Sequence, residues 1–256
     1  MKYFFSSPSS SSLPVMRELG VNNYLFSFMV GGKTWYKVVQ PTETVLMDSG
    51  AFSVWNSGKT IDIVQYKNFL KTLPDHFLKV SLDVIPKTGS TPKEIEHCCE
   101  QGIENYKFLC DGVKNVMPVY HYGEHERFLK TYMEYTDYIG ISPANDTSEK
   151  CKRQFFSQVF SILGSKIRTH AFGYSSFSGL VLYPFTSVDS ITYNRWQKPR
   201  GKRGCMFRED DYTIKNIRIN STSLNYFLYE RIRVFLEYEK FITELWEGRG
   251  ISWSTT

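Results

Sequence analysis

The sequence predicts an α/β fold, a (β/α)8 barrel of the TIM type. Short apolar runs rich in β-forming residues alternate along the chain with stretches of helical periodicity, an order that favours parallel strands. At least six such units fit into about 190 residues, for which a barrel is the natural closure. No segment rich in Pro, Gly or Ser divides the middle of the chain, and its 256 residues suit one barrel. We therefore expect a single domain over residues 1–256.

The predicted strands share short runs of apolar and β-branched residues. They cover residues 44–47, 78–82, 115–119, 138–141, 166–172 and 187–193. A first strand precedes the serine-rich stretch 6–12, which we interpret as a loop.

Helices are predicted between these strands. Thr91, Pro92 and Glu94 follow the pattern of a helix N-terminus, with a capping hydroxyl and a proline in the first turn. Further helical patterns cover residues 61–70, 124–135, 148–163 and about 223–246. The last and longest of these is expected to pack on the outside of the barrel.

The charge of the chain is concentrated in one segment. The whole sequence has 31 basic and 26 acidic residues, a net charge of +5, and 41% hydrophobic residues exclude a fully disordered chain. Residues 195–208 carry six basic side chains and no acidic one, so the rest of the chain has a net charge of −1. This segment is the place where a polyanion is expected to bind.

The five cysteines do not predict a metal site or a disulfide framework. They have no C-x-x-C spacing, and reduced thiols fit a cytoplasmic protein. The N-terminus lacks a signal-peptide core, and no apolar run approaches the roughly 20 residues that span a bilayer. We expect no membrane partner and no metal.

Aspartates follow three different predicted strands. Asp48 follows the strand 44–47, Asp83 follows 78–82, and Asp189 lies within 187–193. A single aspartate after a strand most often caps a turn. Because the carboxyl ends of the strands in a parallel barrel form one active-site mouth, three aspartates at these ends favour a catalytic site.

The order of motifs around these aspartates resembles the tRNA-guanine transglycosylase family. LMDSGAFS resembles the family's D-S-G-G-F-Q signature, and VSLDVIP stands where the family has a second aspartate. Four later segments resemble the family's later strands in the same order: MPVYHYGE, YIGIS, RTHAFGYSS and YPFTSVDSITYNR. The whole resemblance covers about residues 44–195.

The departures from the family pattern change the expected substrate. No C-x-C-x-x-C…H zinc motif follows the last strand, and Cys205 stands alone in a Lys/Arg-rich loop. The resemblance is closest to the short phage and bacterial enzymes of the DpdA type, which insert 7-deazaguanine bases into DNA. A barrel without the zinc-binding insertion is therefore expected.

The resemblance implies a role for each aspartate. Asp189 would be the nucleophile that forms a covalent bond to the sugar, and Asp48 would be the general acid and base. Asp83 would accept hydrogen bonds from the Watson–Crick edge of the base. The remaining predicted substrate-binding residues are Ser49, Gly50, Tyr120, His121, Gly140, Ser142 and His170, and Phe52 and Phe172 are candidate stacking walls. The alternative for His170 is a buried, hydrogen-bonded histidine. No cofactor is expected.

The expected partners are DNA and a free 7-deazaguanine base, such as the 7-cyano form. The target guanine must lie in a single strand or be flipped out of the duplex. Its phosphates and neighbouring bases would contact the basic segment, through Arg195, Trp196, Lys198, Arg200, Lys202, Arg203 and Arg208. Whether the protein forms a homodimer or needs a DNA-opening partner stays open.

Three alternative functions remain at this point. The same exchange could act on tRNA, or the barrel could bind nucleic acid without catalysis. An unrelated barrel could also hydrolyse sugars with two carboxylates.

Overall fold

A computed structural model describes residues 1–29, 38–58, 60–86, 89–144, 147–193, 203–208, 213–218 and 224–253. Its main feature is a nine-segment sheet in which every pairing is parallel. The strands are β1 (Lys2–Ser6), β2 (Asn23–Ser27), β3 (Thr44–Asp48), β4 (Leu78–Val80), β5 (Val116–Met117), β6 (Val119–His121), β7 (Tyr138–Ser142), β8 (Arg168–Ala171) and β9 (Ser187–Ser190). They are arranged in the order β5-β4-β3-β2-β1-β9-β8-β7-β6.

The two edges of this sheet meet at Pro118. β5 pairs with β4, β6 pairs with β7, and only Pro118 separates β5 from β6 along the chain. Proline has no N–H and interrupts the ladder, yet its carbonyl still accepts from Gly140 N at 2.8 Å. Nine strand segments thus occupy the eight positions of a nearly closed barrel, which confirms the predicted fold class.

Helices connect the strands and cover the barrel. They are α1 (Leu13–Glu18), α2 (Ala51–Ser57), α3 (Ile63–Leu70), α4 (Pro92–Cys110), α5 (Glu126–Tyr135), α6 (Glu149–Leu163), α7 (Phe177–Leu180) and α8 (Leu224–Gly248). The start of α4 is the predicted capping box, in which Thr91 and Glu94 each bind the other's backbone N–H. No helix in the described ranges is long and apolar enough to cross a membrane.

The apolar residues form two layers because side chains alternate between the faces of a strand. Phe4, Leu25, Leu46 and Val80 belong to a cluster inside the barrel. Their neighbours along the strands, such as Phe5 and Val45, belong to the larger core between the strands and the helices. The same alternation decides which polar residue at each strand end faces the barrel interior.

The six predicted strands and the four further predicted helices are present with shifted ends. The sequence did not predict the short helices α1, α2 and α7. It also did not predict β2, which supplies a complete barrel strand. Nor did it predict that β10 (Arg203–Arg208), within the segment predicted as a basic loop, pairs antiparallel with β11 (Thr213–Arg218) as a hairpin.

Candidate active site

A cavity of about 190 Å³ opens at the carboxyl ends of the barrel strands. All three strand-end aspartates lie in its wall, together with two further polar side chains and several apolar ones. The polar lining consists of Asp48, Asp83, His121, Ser142 and Asp189, and the apolar lining includes Leu25, Phe52, Val80, Ile85, Val119, Pro143 and Phe172. Residues of seven different strands or strand ends thus meet at one site.

Asp189 is held by two hydrogen bonds from different strand ends. Ser6, the last residue of β1, donates from Oγ to Oδ2 at 2.6 Å. The backbone N–H of Gly173, after β8, donates to Oδ1 at 2.7 Å. The Asp189 side chain is 10% exposed, and the cavity is the space it faces. Both oxygens keep lone pairs, because a carboxylate accepts about four hydrogen bonds.

Asp48 has a strongly perturbed acidity. Burial, followed by the negative charges of Asp83 and Asp189, raises the pKa of Asp48 to about 7. A hydrogen bond from Gly50 N to Oδ2 at 3.0 Å opposes this rise and fixes the carboxyl group. Near neutral pH, Asp48 is therefore present in both its protonated and its ionised form.

Gly50 makes this turn after β3 possible. Its φ of +81° is a left-handed conformation that favours glycine, and a Cβ there would lie 2.7 Å from both Met29 Cβ and Ser27 Oγ. Gly50 thus serves the site through its backbone N–H to Asp48.

Asp83 belongs to a buried charge network with His121 and Glu124. His121 Nε2 lies 2.8 Å from Asp83 Oδ2, and His121 Nδ1 lies 2.8 Å from Glu124 Oε1. Although burial lowers the pKa of His121, the two carboxylate contacts outweigh it and raise that pKa to about 10. Ser49 Oγ donates to the other oxygen of Asp83 at 3.3 Å. One imidazolium therefore lies between two carboxylates.

His170 lies beneath the cavity and does not line it. The residue is fully buried, its Nδ1 is 2.6 Å from Ser187 Oγ, and its Nε2 is 3.3 Å from Asp189 Oδ1. The predicted contact of His170 with substrate is thus replaced by a contact with Asp189.

Four other predicted substrate-binding residues also lie outside the cavity: Ser49 and Gly50, whose contacts with Asp83 and Asp48 are described above, and Tyr120 and Gly140. Tyr120 points to the helices because His121, the next residue, points inward; its ring stacks on Phe155 and its hydroxyl donates to the Glu124 carbonyl. A Cβ on Gly140 would lie 2.5 Å from Phe172, so Gly140 makes room for a ring that lines the cavity. Of the predicted substrate-binding set, Asp83, His121 and Ser142 reach the cavity, as do the candidate walls Phe52 and Phe172.

The predicted nucleic-acid segment stays a prediction. Five of its residues lie outside the described part of the chain: Arg195, Trp196, Lys198, Arg200 and Lys202. Arg203 and Arg208 begin and end β10, and their side chains lie outside the described set as well.

Sequence reasoning missed three groups that complete the site. Ser6 ends β1 and would have been found had the strand-end rule been applied to the first strand. Glu124 and the Gly173 N–H have no comparable signal, since their roles depend on loops that bring them to His121 and Asp189.

Comparison with protein-family models and with curated protein sequences finds no match to this chain. Within the described residues, no group of three His, Cys, Asp or Glu side chains is arranged to hold a metal ion.

Proposed function

We propose that this barrel is a base-exchanging transglycosylase that replaces guanine in DNA with a 7-deazaguanine, such as the 7-cyano form. The observation that carries the proposal is that Asp48, Asp83 and Asp189 line one cavity at the carboxyl end of the barrel. The resemblance in motif order assigns these three aspartates to the acid and base, the base-binding group and the nucleophile. The proposal combines that assignment with the different environments of the three carboxylates.

Asp189 is the proposed nucleophile. The Ser6 hydroxyl and the Gly173 N–H fix its two oxygens and leave lone pairs for the anomeric carbon. In the first step a bond forms between an Asp189 oxygen and the anomeric carbon, and the bond from that carbon to guanine breaks. The electron pair leaves with the guanine nitrogen, and the DNA strand stays attached to the enzyme as a sugar ester.

Asp48 is the proposed proton carrier. Protonated Asp48 gives its proton to the departing guanine, and the resulting carboxylate takes the proton from the incoming 7-deazaguanine. The incoming nitrogen then attacks the anomeric carbon and releases Asp189. A pKa of about 7 suits both steps, because a general acid and base works best when its pKa is near the working pH.

Asp83 is the proposed base-recognition group. Guanine and 7-deazaguanine present a ring N–H and an exocyclic amine, and a carboxylate accepts hydrogen bonds from both. The contacts from Ser49 and His121 hold Asp83 in place. Phe52 and Phe172 in the cavity wall provide apolar surface for a planar base.

The deciding experiment measures incorporation of labelled 7-cyano-7-deazaguanine into guanine-containing single-stranded DNA, with tRNA as a parallel substrate. We expect incorporation into DNA and a protein–DNA adduct that survives denaturant. Asp189→Asn should abolish both. Asp111→Asn, which changes an aspartate whose side chain is 92% exposed, should leave both unchanged.

The other outcomes separate the alternatives. Incorporation into tRNA alone would favour the tRNA reaction. DNA binding that weakens with salt, without incorporation or adduct, would indicate a non-catalytic barrel. Release of sugar from simple glycosides without base exchange would indicate a hydrolase.

A further inference from the structure

A buried polar chain runs through the barrel interior below Asp189. Tyr138 on β7, Ser187 on β9 and His170 on β8 all belong to it. The Tyr138 hydroxyl lies 2.6 Å from Ser187 Oγ, which lies 2.6 Å from His170 Nδ1. The edges of Phe4 and Phe172 pack against the imidazole, with ring centroids 5.8 and 4.5 Å away. This packing leaves the ring little freedom to turn.

The chain has a preferred direction of donation. Within the described residues, Ser187 is the hydrogen-bonding partner of the Tyr138 hydroxyl. Burial raises the pKa of Tyr138 to about 12, so the hydroxyl keeps its proton at neutral pH. If Tyr138 donates to Ser187, the Ser187 hydroxyl donates to His170 Nδ1. Nδ1 then acts as an acceptor, and the imidazole proton resides on Nε2.

Nε2 faces the carboxylate of Asp189. It lies 3.3 Å from Oδ1, without the alignment of a full hydrogen bond, and has no other partner in the described chain. A bare lone pair at this position would repel the carboxylate in a buried site. A proton on Nε2 is attracted to it, and this agrees with the direction of the chain from Tyr138.

We propose that His170 is a positioning residue for Asp189, whose Nε2–H lies 3.3 Å from Oδ1 on the side away from the cavity and attracts the carboxylate. It adds a third polar hydrogen beside the carboxylate, next to the two hydrogen bonds from Ser6 and the Gly173 N–H. Its catalytic consequence rests on the proposed function, whereas the position of the proton does not.

The position of the proton is measured by NMR of the chain labelled with 15N-histidine. The sequence has five histidines, and the signals of His170 are those lost in His170→Asn or in His170→Gln. We expect a protonated Nε2 whose resonance moves in Asp189→Asn. An unprotonated Nε2 in the unmodified chain would overturn the inference, whether or not the protein exchanges bases.

The positioning role is measured by two matched substitutions. Glutamine places its amide N–H near Nε2 and retains a donor to Asp189, whereas asparagine places its amide near Nδ1 and loses that donor. We expect His170→Asn to slow adduct formation about 10-fold, the lower end of the effect of removing one hydrogen bond to a charged group, because Nε2 and Oδ1 lack full alignment. The Kd for the oligonucleotide should be unchanged, and His170→Gln should recover most of the rate.

The two hypotheses fail in different ways. If His170→Asn and His170→Gln lose the same rate of adduct formation, the imidazole acts by packing alone. If His170→Asn forms the adduct at the unchanged rate, His170 does not position Asp189. Either result would overturn the positioning role. Absence of exchange in the unmodified chain would overturn the proposed function and leave the NMR result to decide the inference.

Discussion

Neutralising Asp48 should stabilise the protein at alkaline pH. The rise of the Asp48 pKa from 3.8 to about 7 means that the folded protein binds this proton more tightly than the unfolded chain. A tenfold change in proton affinity is worth about 1.4 kcal/mol, so the rise corresponds to about 4 kcal/mol above pH 7. Because Asp48 borders the cavity and water can reach it there, we regard this figure as an upper limit.

The sign follows from linkage. Between pH 4 and pH 7 the folded chain keeps the proton and the unfolded chain has lost it, so stability falls as the pH rises. Asp48→Asn cannot ionise and escapes this loss, while its amide oxygen can still accept from Gly50 N. The advantage of Asp48→Asn in the free energy of unfolding should grow by roughly 2–3 kcal/mol between pH 5 and pH 8.5.

Urea unfolding at the two pH values measures this difference. Asp111→Asn, on the surface, serves as the matched control and should show no pH-dependent gain. If the stability difference between Asp48→Asn and the unmodified chain is the same at pH 5 and pH 8.5, the burial and charge repulsion assigned to Asp48 are wrong. A gain in stability when a buried, repelled carboxylate is neutralised is typical of sites that are strained for function, and under the proposed function Asp48→Asn should also lose base exchange.

Three further predictions concern the framework of the site. Gly50→Ala should lower the free energy of unfolding by about 2 kcal/mol or more. Gly58 also has a left-handed backbone, but no atom lies within 4 Å of an added Cβ, so Gly58→Ala should cost only about 1 kcal/mol. Urea denaturation of both variants measures the difference. The buried ammonium group of Lys79 donates hydrogen bonds to four backbone carbonyls. Lys79→Met removes this donor and should lower the free energy of unfolding by about 3 kcal/mol, which a lower urea midpoint would show. Glu124→Gln should lower the pKa of His121 from about 10, because one of its two carboxylate partners is lost, and an unchanged imidazole titration by NMR would contradict this.

The sequence predicted the barrel because its signals are local and repeated. Alternation of apolar strands with amphipathic helices recurs along the chain, and the capping box at Thr91 marks one helix start without tertiary information. β2 escaped prediction because no predicted helix lies between NYLFS and β3, so the alternation of strand and helix is missing there. The hairpin of β10 and β11 escaped because its basic residues suggested a solvated loop.

The sequence placed Asp48, Asp83 and Asp189 at one end of the barrel, and the structure brings them to one cavity. That placement follows from two rules: side chains alternate along a strand, and parallel strands end at the same edge. By the first rule, neighbouring residues of a strand point to opposite faces. Because His121 faces the cavity, the rule also predicts that Tyr120 points away from it, as the structure shows.

The tertiary structure alone decided the electrostatics of the site. The pairing of His121 with Asp83 and Glu124, the burial that raises the pKa of Asp48, and the approach of His170 to Asp189 depend on distances of a few ångströms between chain segments far apart in sequence. Barrel closure, strand register and loop conformation set those distances, and none of them is encoded in a local pattern of residues. The sequence by itself determined that Asp48, Asp83 and Asp189 lie at the mouth of the barrel. The tertiary structure decided that Asp48 is the carboxyl group with the raised pKa, and which neighbours form hydrogen bonds to each carboxylate.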